Sequence, residues 1–250
     1  MARYREVAYS FFPPLTRMVK TLVIITSGVF LLTYVLGSLP SATLQYYFWV
    51  MPVSLLSLRP YMVLHRFFIW EPFTYLFLHG GWFHIIFNLL ALWMFGSDLE
   101  RTWGANKFAR YYFLTGVGAG VLDVLLRPSS STPVIGCSGA IYGILLAYGV
   151  LFPERPVYLW MIIPIKAKWF VVLMGGLEFW AEVTGGAPGV SHLAHLGGML
   201  IGFLYLRGRG LTYRFELRFH DWRRARLRRR FESYMRRQEE KKDDPDRWIN

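Results

Sequence analysis

The sequence predicts an all-α membrane protein, a bundle of six transmembrane helices whose fourth is short and recessed. Three observations predict it. The 250 residues are 54% hydrophobic and 18% charged, with a positive mean hydropathy, which is too apolar for an ordinary soluble domain of this length. Six apolar stretches, near 19–37, 82–98, 107–127, 137–153, 168–184 and 191–207, reach or approach the length that crosses a hydrocarbon layer of about 30 Å, which takes about 20 helical residues. Charge, finally, gathers at the ends: of 28 Lys and Arg, 15 fall between Arg207 and Asn250, and Arg3, Arg5, Arg17 and Lys20 lead the chain.

The chain accordingly divides into a leader, 1–18, a membrane domain, 19–207, and a basic tail, 208–250. Stretch 19–37 follows a long basic leader without a small-residue cleavage site, so it is expected to be a retained anchor. An even number of spans puts both termini on one side. The leader, the loop with Arg101, Lys107 and Arg110, the loop with Lys166 and Lys168, and the tail share that side, which the positive-inside rule makes cytoplasmic. The long first loop, about 38–81, carries Tyr46-Tyr47-Phe48-Trp49, too short to span and suited to the membrane interface.

The fourth stretch carries chemistry. From Cys137 to Phe152 a helix would be about 24 Å long at 1.5 Å per residue, short of a full crossing. Ser138 would then open a helix below the outer surface, beside unsatisfied N–H groups that favour developing negative charge. The irregular Pro133-Val134-Ile135-Gly136 before it is tolerated at that depth only where it lines a watery cavity or is covered by protein. His195, in the sixth stretch, is the matching base. His195, Gly198 and Gly202 fall on one helix face, and Gly139 and Gly143 allow the serine helix to approach it closely. His84 and Asn88, one turn apart in the second stretch, are candidate donors to an oxyanion, with His79 just before them. Glycine packing alone explains Gly136-Cys137-Ser138-Gly139, and interhelical hydrogen bonding alone explains a membrane histidine; three clusters on three stretches together point to hydrolysis within the bilayer. Cys137 is a second possible nucleophile, but lies on another helical face, and a Gly-x-Ser-x-Gly elbow is less favoured still because position 140 is Ala and no strand precedes it.

These clusters resemble the rhomboid intramembrane serine proteases over about Trp70 to Arg207. His84-Ile85-Ile86-Phe87-Asn88 is similar to the family's His-x-x-x-Asn, Gly136-Cys137-Ser138-Gly139 to its Gly-x-Ser-Gly, and Ala194-His195-Leu196-Gly197-Gly198-Met199-Leu200-Ile201-Gly202 to its Ala-His-x-x-Gly-x-x-x-Gly. Glu100, followed by Trp103-Gly104, resembles the loop after the second helix, and Tyr142 the tyrosine that stacks on the histidine. Trp70-Glu71 stands where many members have Trp-Arg. The resemblance implies a Ser138–His195 dyad without a carboxylate, His84 and Asn88 at the oxyanion, and Tyr142 orienting the imidazole. Asp123 and Glu178 lie in apolar stretches but match no catalytic position. It implies single-span membrane proteins as substrates, calls for no cofactor or metal, and favours a prokaryotic plasma membrane. A silent member that binds membrane clients is the alternative, and a small transporter a remoter one.

The tail places Phe219, Trp222, Leu227, Phe231 and Met235 on one face among arginines, which suits anionic lipid headgroups, at about 1 kcal/mol per basic residue near such a surface. A solvated tail that merely fixes topology is the plainer alternative. Nucleic acid is not expected, because the segment abuts a span.

Overall fold

The computed structural model describes residues 13–159, 162–185 and 190–208. The chain divides into two units, Met1–Tyr205 and Leu206–Asn250. The tail face read from Phe219 to Met235 lies outside the described residues, as does most of the leader.

The protein is an all-α membrane protein of the class expected. Its long helices are α1 (Arg17–Gly37), α2 (Trp82–Trp103), α3 (Ala105–Leu126), α4 (Ser138–Leu151), α5 (Ala167–Thr184) and α6 (192–208). Among the described residues α1, α2 and α3 are long and apolar enough to cross a membrane. With 14 residues α4 is about 21 Å long, shorter still than the sequence suggested. Each expected stretch begins and ends within a few residues of a helix, except that α2 continues to Trp103 through a π-helical turn at Leu92–Gly96.

Burial follows helical period. On α1, Val19, Leu22, Thr26 and Phe30 face inward, whereas Ile24, Ile25, Leu31 and Leu32 are exposed. On α5, Ala167, Val171 and Glu178 face inward, and Val172, Leu177, Phe179 and Trp180 outward. An apolar shell of this extent would be unstable in water and matches a lipid environment.

Two features were not expected. Between α4 and α5 runs a short antiparallel hairpin, β1 (Pro156–Leu159) with β2 (Ile163–Lys166). The first loop holds several short helices, and the aromatic run lies in a helical stretch from Ala42 to Leu56 with Tyr46, Tyr47 and Trp49 exposed. The loop is tied down by buried polar contacts. Glu71 accepts a hydrogen bond from the Arg59 amide (2.8 Å) and pairs with the Arg59 guanidinium (3.1 Å). Burial pushes the Glu71 carboxyl above its ordinary range, against the opposing pull of Arg59. The Trp70 indole donates to the Leu55 carbonyl (2.8 Å). The acidic residue in the Trp-Glu pair thus has a partner within its own loop.

Candidate active site

Ser138 is the first residue of α4, and the backbone ahead of it is built to present it. Gly136 has φ 113°, a left-handed conformation that a side chain would strain, and a Cβ there would lie 2.6 Å from His84 Nε2. The irregular strand before α4 keeps its polar groups satisfied: Leu58 and Val134 exchange two backbone hydrogen bonds (2.9 and 2.8 Å), and the Gly136 amide donates to the Tyr75 carbonyl (2.9 Å). The first loop therefore covers the backbone that a membrane would otherwise leave unpaired.

Close helix packing brings His195 to Ser138. A Cβ at Gly198 would collide with the Gly139 carbonyl oxygen, and one at Gly202 with the Tyr111 hydroxyl, so α6 reaches α4 and α3 only because both positions are glycine. Gly143, expected on the same seam, faces Thr115 of α3 instead. At this separation the Ser138 hydroxyl lies 2.7 Å from His195 Nε2 and can donate to it. The Tyr142 ring stacks on the imidazole, with centroids 4.5 Å apart and planes 13° from parallel.

His84, Asn88, Ser138, Tyr142, Ser191 and His195 line one cavity of about 500 Å³, walled by Phe83 and Phe87 of α2 and Phe170 and Met174 of α5. His84 Nδ1 accepts from the Gly80 amide (3.3 Å), which assigns the remaining proton to Nε2, on the side of Gly136. One Asn88 Nδ2 proton is donated to the His84 carbonyl (2.8 Å), leaving the second available. The Ser138 amide belongs to the first helical turn and has no acceptor within it.

Three of the residues singled out in the sequence, His79, Cys137 and Glu100, stand apart from the cavity. His79 is buried with Nε2 3.6 Å from Cys137 Sγ, and Cys137 itself is fully buried, turned away from the cavity. Glu100 accepts from the Met18 and Val19 amides (2.9 Å each) and from the Thr16 hydroxyl, so it caps the start of α1.

Sequence reasoning passed over a carboxylate cluster behind the imidazole. Glu178 Oε2 lies 2.6 Å from His192 Nδ1 and 2.9 Å from His195 Nδ1, and Oε1 accepts from the Tyr142 hydroxyl. Two signals could have found it: an acidic residue in an apolar stretch, and His192 three residues before His195 on one helix face. The ligand atoms of Glu178, His192 and His195 lie within 4.8 Å of one another. Their oxygen–nitrogen separations are hydrogen-bond lengths, shorter than the roughly 3.4 Å between two ligands on a tetrahedral zinc, so a metal would have to spread them. Ser191, also missed, caps α6: its hydroxyl donates to Asp123 (2.7 Å) and accepts from the Ala194 amide (3.2 Å). The buried Asp123 is thereby a packing anchor, paired with Arg127 as well.

A family model described as the Rhomboid domain matches residues 66–210. The chain is 29% identical over 171 residues to Rhomboid protein 1, mitochondrial, of Saccharomyces cerevisiae, covering 63% of this chain and 47% of that one. It is 31% identical over 144 residues to Rhomboid protease GluP of Bacillus subtilis, covering 57% and 26%. Against Rhomboid-like protease 5 of Toxoplasma gondii it is 35% identical over 136 residues, covering 52% and 15%. The chain spans less than half the length of each of these relatives.

Proposed function

Because this chain belongs to the rhomboid family, we propose that it is an intramembrane serine endopeptidase, cutting peptide bonds in or near the transmembrane segments of membrane proteins. The observation that carries the reading is the 2.7 Å contact between Ser138 and His195 Nε2 at the wall of a 500 Å³ cavity. Protease-named relatives support it.

In this mechanism His195 Nε2 takes the hydroxyl proton as Ser138 Oγ attacks the scissile carbonyl carbon. The resulting oxyanion accepts hydrogen bonds from His84 Nε2–H, the spare Asn88 proton and the Ser138 amide. Such fixed donors matter most where water is scarce, and loss of one costs about 2.7–4 kcal/mol of transition-state stabilisation. His195 returns the proton to the leaving amine as the C–N bond breaks, giving an acyl-enzyme. Water then attacks the ester with the same residue as base. Substrate reaches the serine past the apolar walls of α2 and α5, which suit an unwound membrane segment. The remaining three helices are proposed as further spans, with the basic ends on the cytoplasmic side of a cell membrane and the tail against anionic lipid.

A fluorophosphonate probe tests the nucleophile. The purified protein is expected to carry one adduct on Ser138, and Ser138→Ala none. Equal labelling of both would refute the assignment, and clean substrate binding without product would favour the client-binding alternative.

A further inference from the structure

The resemblance to known proteases implies a serine and a histidine with no carboxylate behind them, yet one is present here. Glu178 is buried on α5 between exposed Leu177 and Phe179. A carboxylate at membrane depth is costly unless it is engaged. Three groups of the site engage this one: the Tyr142 hydroxyl holds Oε1, and His192 Nδ1 and His195 Nδ1 approach Oε2 at 2.6 and 2.9 Å.

The chemistry asks for such an acceptor. His195 Nε2 must be bare to receive the Ser138 proton, so the neutral ring must carry its hydrogen on Nδ1. An oxygen facing Nδ1 selects that tautomer, and a negative one offsets the charge when the ring becomes imidazolium. At 2.9 Å the distance is that of a hydrogen bond, but the ring N–H points off the line to Oε2, and Nδ1 has no aligned partner among the described residues. Catalytic hydrogen bonds commonly align and tighten only when substrate is bound.

We propose that Glu178 is a positioning residue of this site, holding His195 in the tautomer that accepts the serine proton and steadying the imidazolium that follows. The proton path is unchanged: Ser138 Oγ to His195 Nε2 to the leaving amine, with the Nδ1 hydrogen staying on the ring. The proposal rests on the protease reading for its kinetic consequence, but the tautomer it assigns does not.

The test uses the full chain in detergent with a labelled transmembrane peptide, and Ser138→Ala sets the background. Glu178→Gln keeps an acceptor but loses the charge; kcat is expected to fall about tenfold or more, and further in Glu178→Leu, with KM changed by less than about twofold. Glu182→Gln, one turn further along α5 and itself exposed, is expected to keep both constants. Rates within about twofold of the unmutated protein in both Glu178 variants would overturn the proposal. Nitrogen-15 spectra of the histidines supply a second readout. His195 is expected to be protonated at Nδ1 and bare at Nε2, with a low-field Nδ1 proton that disappears in Glu178→Leu. The opposite tautomer in the unmutated protein would overturn the proposal even if the variants fail to fold. Absence of cleavage by the unmutated chain, or equal cleavage by Ser138→Ala, refutes the protease reading instead, and the spectra still decide Glu178.

Discussion

A single methyl group separates a tight seam from a broken one at Gly198. Its Cβ would collide with the carbonyl oxygen of Gly139, a backbone atom that cannot swing aside, so Gly198→Ala must push α6 away from α4. Overpacking of this kind costs about 1–3 kcal/mol. A clear fall in melting temperature, with cleavage reduced more steeply because the Ser138–His195 contact lengthens, is the expected outcome. Gly176→Ala on α5 is the control: nothing lies within 4 Å of the added carbon, and the melting temperature should hold or rise. Scanning calorimetry in detergent checks both. Much at this scale was legible in the sequence, because small-residue spacing reports close helix contact directly, and Ser138 and His195 do face each other. Glu178 stood out only as an acidic residue in an apolar stretch. Placing it beside His195 required knowing which face of α5 turns inward, and that helix is apolar nearly all round, so periodicity gave no orientation.

At the scale of elements, the site depends on helices held by polar groups remote from it. Glu100 satisfies two orphan amides at the start of α1 and a hydroxyl beside them, tying α1 to the end of α2. Replacing a side-chain cap typically costs about 0.5–2 kcal/mol. Glu100→Ala is expected to lower the melting temperature and speed hydrogen exchange in the first turn of α1, while KM stays constant. Unchanged exchange there would contradict the capping role. Glu154 shows the pH sense of a smaller tie, between the turn after α4 and the hairpin with α5. Lys166 and Lys168, at 2.8 and 2.5 Å, hold its carboxyl down from the ordinary 4.5 to about 2. A depressed folded value means the tie contributes above about pH 4.5 and is lost as pH falls toward 2. The pair is exposed, so the effect is small and screened by salt. The melting-temperature gap between the unmutated protein and Glu154→Gln should narrow over that window and at high salt. The hairpin itself escaped the sequence reading: four-residue strands containing Pro156 and Pro164 leave no alternation to detect. Long helices were legible because each is an apolar stretch that reaches or approaches the length of a membrane crossing.

At the scale of the whole molecule, polarity among the described residues of the helices is turned inside out. Their outward faces are apolar, while histidines, asparagine and serine line one cavity and the Glu178 carboxylate sits behind it. That distribution makes sense if water and a peptide bond must meet beneath an apolar surface. The most direct measurement is cleavage of a single-span protein in liposomes, with the product termini located by mass spectrometry. The account predicts a cut in or near the transmembrane segment, abolished in both Ser138→Ala and His195→Ala while both variants remain folded. Undiminished cleavage by either variant would contradict it.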